Sequence, residues 1–214
     1  MAIRDKSFTA AKWSALSSIK IVGIGVLQLS LLAQILEAKE LHLLAIAIVL
    51  LLVIDTLSDR GFSNSLIRSG KLSDRELSVL YWGNVFIGLV IFSVIFIGSD
   101  IFSHLMNQPE LAIMLEMLSV IFIIIPQGQH YRAILQREKE YTKIAFTEII
   151  SVVTGLGVTL FTVWLTPSVL CALWGYLAMI SIRMLIYCYY GRPWFQPEYR
   201  FSIKSMTQIH ARNG

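Results

Sequence analysis

Six long apolar runs, each followed by a short polar link or by the chain's polar end, organise this chain. They run from about Trp13 to Leu36, Leu41 to Leu66, Val79 to Gly98, Ala112 to Ile134, Ile144 to Leu165 and Val169 to Tyr190. A hydrocarbon core about 30 Å thick takes about 20 mostly apolar residues per helix, and each run meets that length. Apolar positions are continuous rather than alternating, which favours helices over barrel strands, because backbone groups in lipid must be satisfied inside the segment. The pattern therefore predicts an all-α polytopic membrane protein with six transmembrane helices. A cytoplasmic arm over residues 1–12 precedes the six-helix lobe of 13–190, and a cytoplasmic tail over 191–214 follows it. The tight link Glu37-Ala38-Lys39-Glu40 predicts a helical hairpin. The second run is longer than the bilayer requires and turns polar in its last third, where a tilted or loosened helix is expected.

Composition agrees with this reading. The chain is 56% hydrophobic and 15% charged, with mean hydropathy +0.67, against about 25% charged residues in a soluble domain. A net charge of +4 does not point to nucleic acid, because the basic residues gather beside helix ends. Arg4, Lys6 and Lys12 precede the first run, and Arg68, Lys71 and Arg75 follow the second. Arg132, Arg137, Lys139 and Lys143 flank the link after the fourth, and Arg192, Arg200, Lys204 and Arg212 fill the tail, while the opposite side carries Lys39 alone. The asymmetry predicts both termini in the cytoplasm. The first run lacks a small-x-small cleavage site and is expected to stay as a helix rather than leave as a signal peptide. Tyr81, Trp82, Trp164, Tyr187, Tyr189, Tyr190 and Trp194 fall near helix ends and are expected to anchor in the headgroup layer. Cys171 and Cys188 lie on one helix about 25 Å apart, too far to bridge.

Ionisable groups inside the spans are the candidates for function, since each costs roughly 2.5 to 3.5 kcal/mol at a helix centre. Asp55 and Asp59 share one helical face a turn apart, and the adjacent Arg60 offsets one of them. With Asn64 they form either the wall of a polar cavity or the frayed cytoplasmic end of a long helix. Arg183 lies about 13 Å inside the last span, beyond comfortable snorkelling, so it needs a partner. Asp55, Asp59, Glu148 or an anionic ligand such as a lipid phosphate would each serve. Glu116 and Glu148, about a turn inside their spans, read most simply as snorkelling acids. The segment Pro126-Gln127-Gly128-Gln129-His130-Tyr131-Arg132 predicts a kink with a cluster of polar side chains, either a capping cluster or a polar mouth with Gln127, Gln129 and Arg132 facing it. Gly23, Gly25, Gly155 and Gly157 are expected at close helix contacts. His42, His104 and His130 lack metal-ligand spacing. No nucleotide motif or nucleophile arrangement is present, so neither catalysis, a metal nor a cofactor has support.

Several stretches resemble a known family. The opening Ala10-Ala11-Lys12-Trp13-Ser14-Ala15, the block from Asp55 to Ser65, the run from Pro126 to Gln136, and Arg183 with Tyr187 and Gly191-Arg192 are similar, in order and spacing, to bacterial oligosaccharide flippases. These form the polysaccharide transport family of the multidrug/oligosaccharidyl-lipid/polysaccharide exporter superfamily, and the colanic acid exporters are the nearest within it. The resemblance implies movement of an undecaprenyl diphosphate-linked oligosaccharide, as a repeat unit for polysaccharide, lipopolysaccharide or O-antigen, across the bacterial inner membrane by alternating access. Asp55, Asp59, Arg60, Asn64, Gln127, Gln129, Arg132 and Arg183 would line its cavity. Arg60 departs from the apolar or aromatic residue expected between the acid and the glycine. Family members have two six-helix lobes, so the chain corresponds to a first lobe, with Phe201-Ser202-Ile203-Lys204-Ser205 as the lead-in to a second. A truncated product, a split transporter and a self-pairing half are all compatible with that length. A non-transporting scaffold of a glycan assembly complex and a cation-coupled multidrug exporter are the competing functions.

Overall fold

A computed structural model describes residues 23, 25–46, 48–49, 74–195 and 197. The expected N-terminal arm, the polar end of the second run and the body of the tail lie outside these residues, and with them Asp55, Asp59, Arg60 and Asn64. The described chain is helical, with no strand among its residues. Its elements are α1 (Gly25–Ile35), α2 (38–46, with 48–49 also helical), α3 (Asp74–Leu105), α4 (Glu110–Ser119), α5 (Ile121–Arg137), α6 (Tyr141–Leu165) and α7 (Leu170–Gly191). Taking α4 and α5 as one path, four helices are long and apolar enough to cross a membrane, with α1 as a shorter apolar helix beside them.

Two helices differ from the sequence expectation. α3 continues past Gly98 to Leu105 and has 32 residues, about 48 Å of helix, so the expected polar link shrinks to a few residues. Its outer face shows Phe86, Val94, Ile97, Ile101 and Leu105, a surface suited to lipid. α4 and α5 are separated at Val120, six residues before Pro126, which lies inside α5. Proline removes a donor and crowds the carbonyl four residues earlier, here Phe122, so the distortion is felt on the N-terminal side. Gly88 of α3 accommodates that carbonyl, because a Cβ at Gly88 would overlap Phe122 O and lie 2.9 Å from Pro126 Cγ.

Two helix ends are closed by the same device. After α3, Gln108 N–H donates to Ser103 O at 3.0 Å and Asn107 N–H to His104 O at 3.2 Å, with Asn107 left-handed at φ 52°. After α5, Glu140 N–H donates to Leu135 O at 2.9 Å and Lys139 N–H to Gln136 O at 3.1 Å, with Lys139 at φ 61°. This is the Schellman closure, which favours glycine at the left-handed position. Lysine pays a Cβ penalty there, so Lys139→Gly is expected to stabilise the chain by about 1 kcal/mol, read as a raised unfolding midpoint in detergent. An unchanged or lowered midpoint would show that the lysine side chain compensates.

Among the described residues, two apolar clusters hold the bundle. One joins α1 and α2 (Leu32, Leu43, Leu44) to α4, α5 and α7 through Met114, Phe122 and Leu173. The other lies at the end where α5 finishes and α6 begins, around Leu77, Tyr81, Tyr131, Ile134 and Tyr187, with Phe195 folded back against it. The expected aromatic anchors divide accordingly. Trp164 and Tyr189 are exposed, whereas Tyr81 and Tyr187 are buried. α6 and α7 form a close hairpin. A Cβ on Gly175 would collide with Thr159 Oγ1 and lie 2.7 Å from Gly155 O, and one on Gly155 would lie 2.9 Å from Gly175 O. Gly23, Gly25 and Gly157, expected at similar contacts, have no neighbour within 4 Å of such a Cβ among the described residues. Hydroxyls along α6 are absorbed by their own helix: Thr147, Ser151, Thr154 and Thr159 each donate to the carbonyl four residues back. In lipid this satisfies groups that would otherwise be stranded.

Candidate functional site

Three helices converge on one polar cleft. Gly128 lets α5 approach α7 closely, since a Cβ there would lie 3.3 Å from Met184 Cα. One turn along α5, Arg132 reaches into the gap. Glu148 enters from α6, about 10 Å beyond the start of that helix at about 1.5 Å per residue. Arg183 and Tyr187, four residues apart on α7, share a face and complete the set. The cleft has a volume of about 190 Å³, with Gln129 also on its wall and Ile124, Ile125 and Ile180 as its apolar boundary.

Glu148 is the centre of the arrangement. Its Oε2 lies 3.4 Å from Arg183 Nη2, and its Oε1 lies 3.6 Å from Arg132 Nε. Tyr187 Oη donates to the same Oε1 at 2.7 Å. The Glu148 side chain is 15% exposed, so it does not snorkel as the sequence reading expected. Of the partners open to Arg183 on sequence grounds, the structure brings up Glu148. One carboxylate thus faces two guanidinium groups, and these three ionised groups carry one net positive charge. Neither Arg132 Nε nor Arg183 Nε has a hydrogen-bond partner among the described residues. A guanidinium presents five donors in a planar fork matched to carboxylate or phosphate oxygens. Chemically the cleft is suited to holding an oxyanion, with Glu148 as the resident counter-ion.

The polar segment after Pro126 separates into three roles. Gln129 and Arg132 line the cleft, while Gln127 donates from Nε2 to Ile123 O at 3.1 Å and serves its own helix. His130 turns the other way and is 2% exposed, with ring centroids 5.4 Å from Tyr81 and 4.9 Å from Phe195. Sequence reasoning missed the central place of Glu148 and the burial of Tyr187. One signal was available: the two residues stand nearly equal numbers of positions from Pro167, so an antiparallel hairpin turning there sets them level. Glu116, the other inward acid, accepts a long hydrogen bond from Ser99 of α3 at 3.4 Å.

With this geometry in hand, comparison with known proteins is informative. A family described as polysaccharide biosynthesis protein matches residues 31–211. The chain is 37% identical over 207 residues to the lipopolysaccharide biosynthesis protein WzxC of Escherichia coli K12, covering 97% of this chain and 42% of that relative. It is 25% identical to the teichuronic acid biosynthesis protein TuaB of Bacillus subtilis 168, covering 97% of this chain and 43% of the relative. It is 22% identical to the succinoglycan biosynthesis transport protein ExoT of Rhizobium meliloti 1021, covering 92% and 40%. The chain therefore spans somewhat under half the length of these curated relatives. No solved structure matches it at a significant level.

Proposed function

This chain belongs to the polysaccharide biosynthesis protein family, and from that premise we propose that it forms the first lobe of a flippase for lipid-linked oligosaccharide. The substrate is an undecaprenyl diphosphate-linked oligosaccharide, moved across the bacterial inner membrane by alternating access, with both chain termini in the cytoplasm. The observation that carries the reading is the pair Arg132 and Arg183 sharing the single carboxylate of Glu148. In a membrane interior, two cations over one anion leave one unbalanced positive charge, which favours an anionic phosphate group over a neutral one. Entry of the diphosphate draws one guanidinium away from Glu148, so binding exchanges one ion pair for another. The break at Val120 and the proline at 126 place a deformable segment just before the cleft, where α5 can change its angle between inward-open and outward-open states. Among the described residues the charge balance of the cleft speaks against an organic cation as cargo, which would require the opposite excess.

The test is binding by the full chain in nanodiscs, comparing undecaprenyl diphosphate with undecaprenol by native mass spectrometry. Wild type is expected to retain the diphosphate preferentially. Arg183→Gln is expected to weaken that preference by about 10- to 100-fold, the equivalent of roughly 1.5–3 kcal/mol for a hydrogen bond to a charged group. Equal retention of the two lipids by wild type would overturn the reading and favour a scaffold role.

A further inference from the structure

The chain leaving α7 is tied back to the bundle. Arg192 N–H donates to Cys188 O at 3.0 Å, and Trp194 N–H and Phe195 N–H both return to Gly191 O, at 3.0 and 3.2 Å, so these residues fold against the last turn of the helix. Lys143, at the start of α6, places its Nζ 4.8 Å from the centre of the Trp194 ring and 5.8 Å from that of Tyr190, within cation–π range. Phe195 is 3% exposed. Its ring centroid lies 4.9 Å from that of His130 and 6.2 Å from those of Tyr81 and Tyr131, which seats it between α3 and α5. Glycine at 191 permits this approach, since a Cβ there would lie 2.5 Å from Tyr131 Cδ1.

That seat grips α5 from the side opposite the cleft. At about 100° per residue, His130 and Arg132 point about 160° apart around the α5 axis, and Gly128 shares the side of Arg132. α5 is thus held between Tyr81 and Phe195 on one face and Met184 of α7 on the other. Neither ring nitrogen of His130 has a hydrogen-bond partner among the described residues, so ring contacts rather than hydrogen bonds keep the imidazole in place. Burial of an unpaired polar group opposes closure of the seat, and loss of the Phe195 ring tips it open. We propose that Phe195 is a positioning residue: seated against His130, it fixes the rotation of α5 that presents Arg132 to Glu148. Arg132 Nε reaches that carboxylate at 3.6 Å, a separation that a turn of α5 would lengthen. Phe195 is not among the residues that line the cleft and acts on it through α5. The inference goes beyond the function proposed above, on which only its consequence for the diphosphate rests.

The experiment reads the rotation of α5 without a ligand, in the full chain in nanodiscs. A Cβ on Gly128 would lie 3.5 Å from Met184 Cβ, at the near edge of disulfide geometry. Gly128→Cys with Met184→Cys, in a chain carrying Cys171→Ala and Cys188→Ala, is therefore expected to cross-link under copper phenanthroline. Phe195→Ala is expected to slow that cross-link about three- to tenfold, the equivalent of the ring contacts removed, and Phe195→Met, which refills the seat, to restore it. Trp194→Ala, at the partly exposed end of the strap, is the second variant should Phe195→Ala fold poorly, with a slowing of about threefold expected from loss of the cation–π contact. A rate unchanged by both variants overturns the inference, and so does one that Phe195→Met fails to restore. Retention of undecaprenyl diphosphate over undecaprenol by wild type, measured in parallel, separates the two readings. Equal retention, with the cross-link still governed by Phe195, removes the proposed function and leaves this inference standing. Preferential retention, with a cross-link indifferent to Phe195, does the reverse.

Discussion

Glu148→Ala is expected to destabilise the chain more than any other single change in the cleft, by about 1–3 kcal/mol, the cost of removing the charged partner of hydrogen-bonding groups that are only partly buried. Both guanidiniums lose their counter-ion at once, and the Tyr187 hydroxyl loses its acceptor. Two positive charges then remain in a span where each is costly. Glu148→Gln should fall between alanine and wild type, because the amide oxygen still accepts from Tyr187 while the charge is gone. Arg183→Leu should be milder, since it leaves Arg132 and Glu148 as a balanced pair. Unfolding midpoints in detergent for the three variants give the ranking. A Glu148→Ala midpoint equal to wild type would mean that the guanidiniums find another partner, and the cleft would lose its proposed centre. Bound undecaprenyl diphosphate should partly rescue Glu148→Ala, because the ligand supplies the missing anion and stabilises whichever state binds it.

Gly175→Leu is expected to abolish recovery of folded protein. The obstruction is not a flexible side-chain tip alone: the new Cβ would lie 2.7 Å from the carbonyl of Gly155 and would overlap Thr159 Oγ1. Overpacking typically costs 1–3 kcal/mol, occasionally more, and a backbone carbonyl on the facing helix cannot move aside without parting α6 from α7. That seam also carries Gln28 of α1 through its bond to Thr159, so the damage should spread to α1. Gly175→Ala should express with a lowered midpoint. Gly157→Ala is the control: its Cβ meets nothing within 4 Å among the described residues, and replacing glycine in a helix should be neutral or stabilising by up to about 1 kcal/mol. Equal behaviour of Gly175→Ala and Gly157→Ala, measured as the monodisperse fraction and thermal midpoint, would show that the hairpin does not rely on this contact.

The difference between these two glycines shows where sequence reading stops. Both occur in apolar runs, and small residues in such runs favour close helix contact, yet only rotation about the α6 axis decides which of Gly155 and Gly157 meets α7. The same limit applies to the aromatic residues near helix ends. Tyr187 and Tyr189 are two positions apart on α7, one 1% exposed and the other 74%. Their shared preference for an interface gave no means of separating them. The break at Val120 had no sequence signal at its own position, which carries neither glycine nor proline.

The apolar runs by themselves determined that this is an all-helical membrane protein and located α6 and α7 to within a few residues. Lipid offers the backbone no hydrogen-bond partner, so each spanning segment has to satisfy itself as a helix wherever hydropathy is sustained. Sequence also required a partner for Arg183, since a guanidinium so far from the helix end cannot stay unbalanced. Which acid answers was settled by tertiary structure among the described residues. The register of the α6–α7 hairpin sets Glu148 level with Tyr187, and the close approach of α5 at Gly128 brings Arg132 to the same carboxylate. Such convergence depends on helix rotation and on packing across three separate segments, which no periodicity within a single helix encodes.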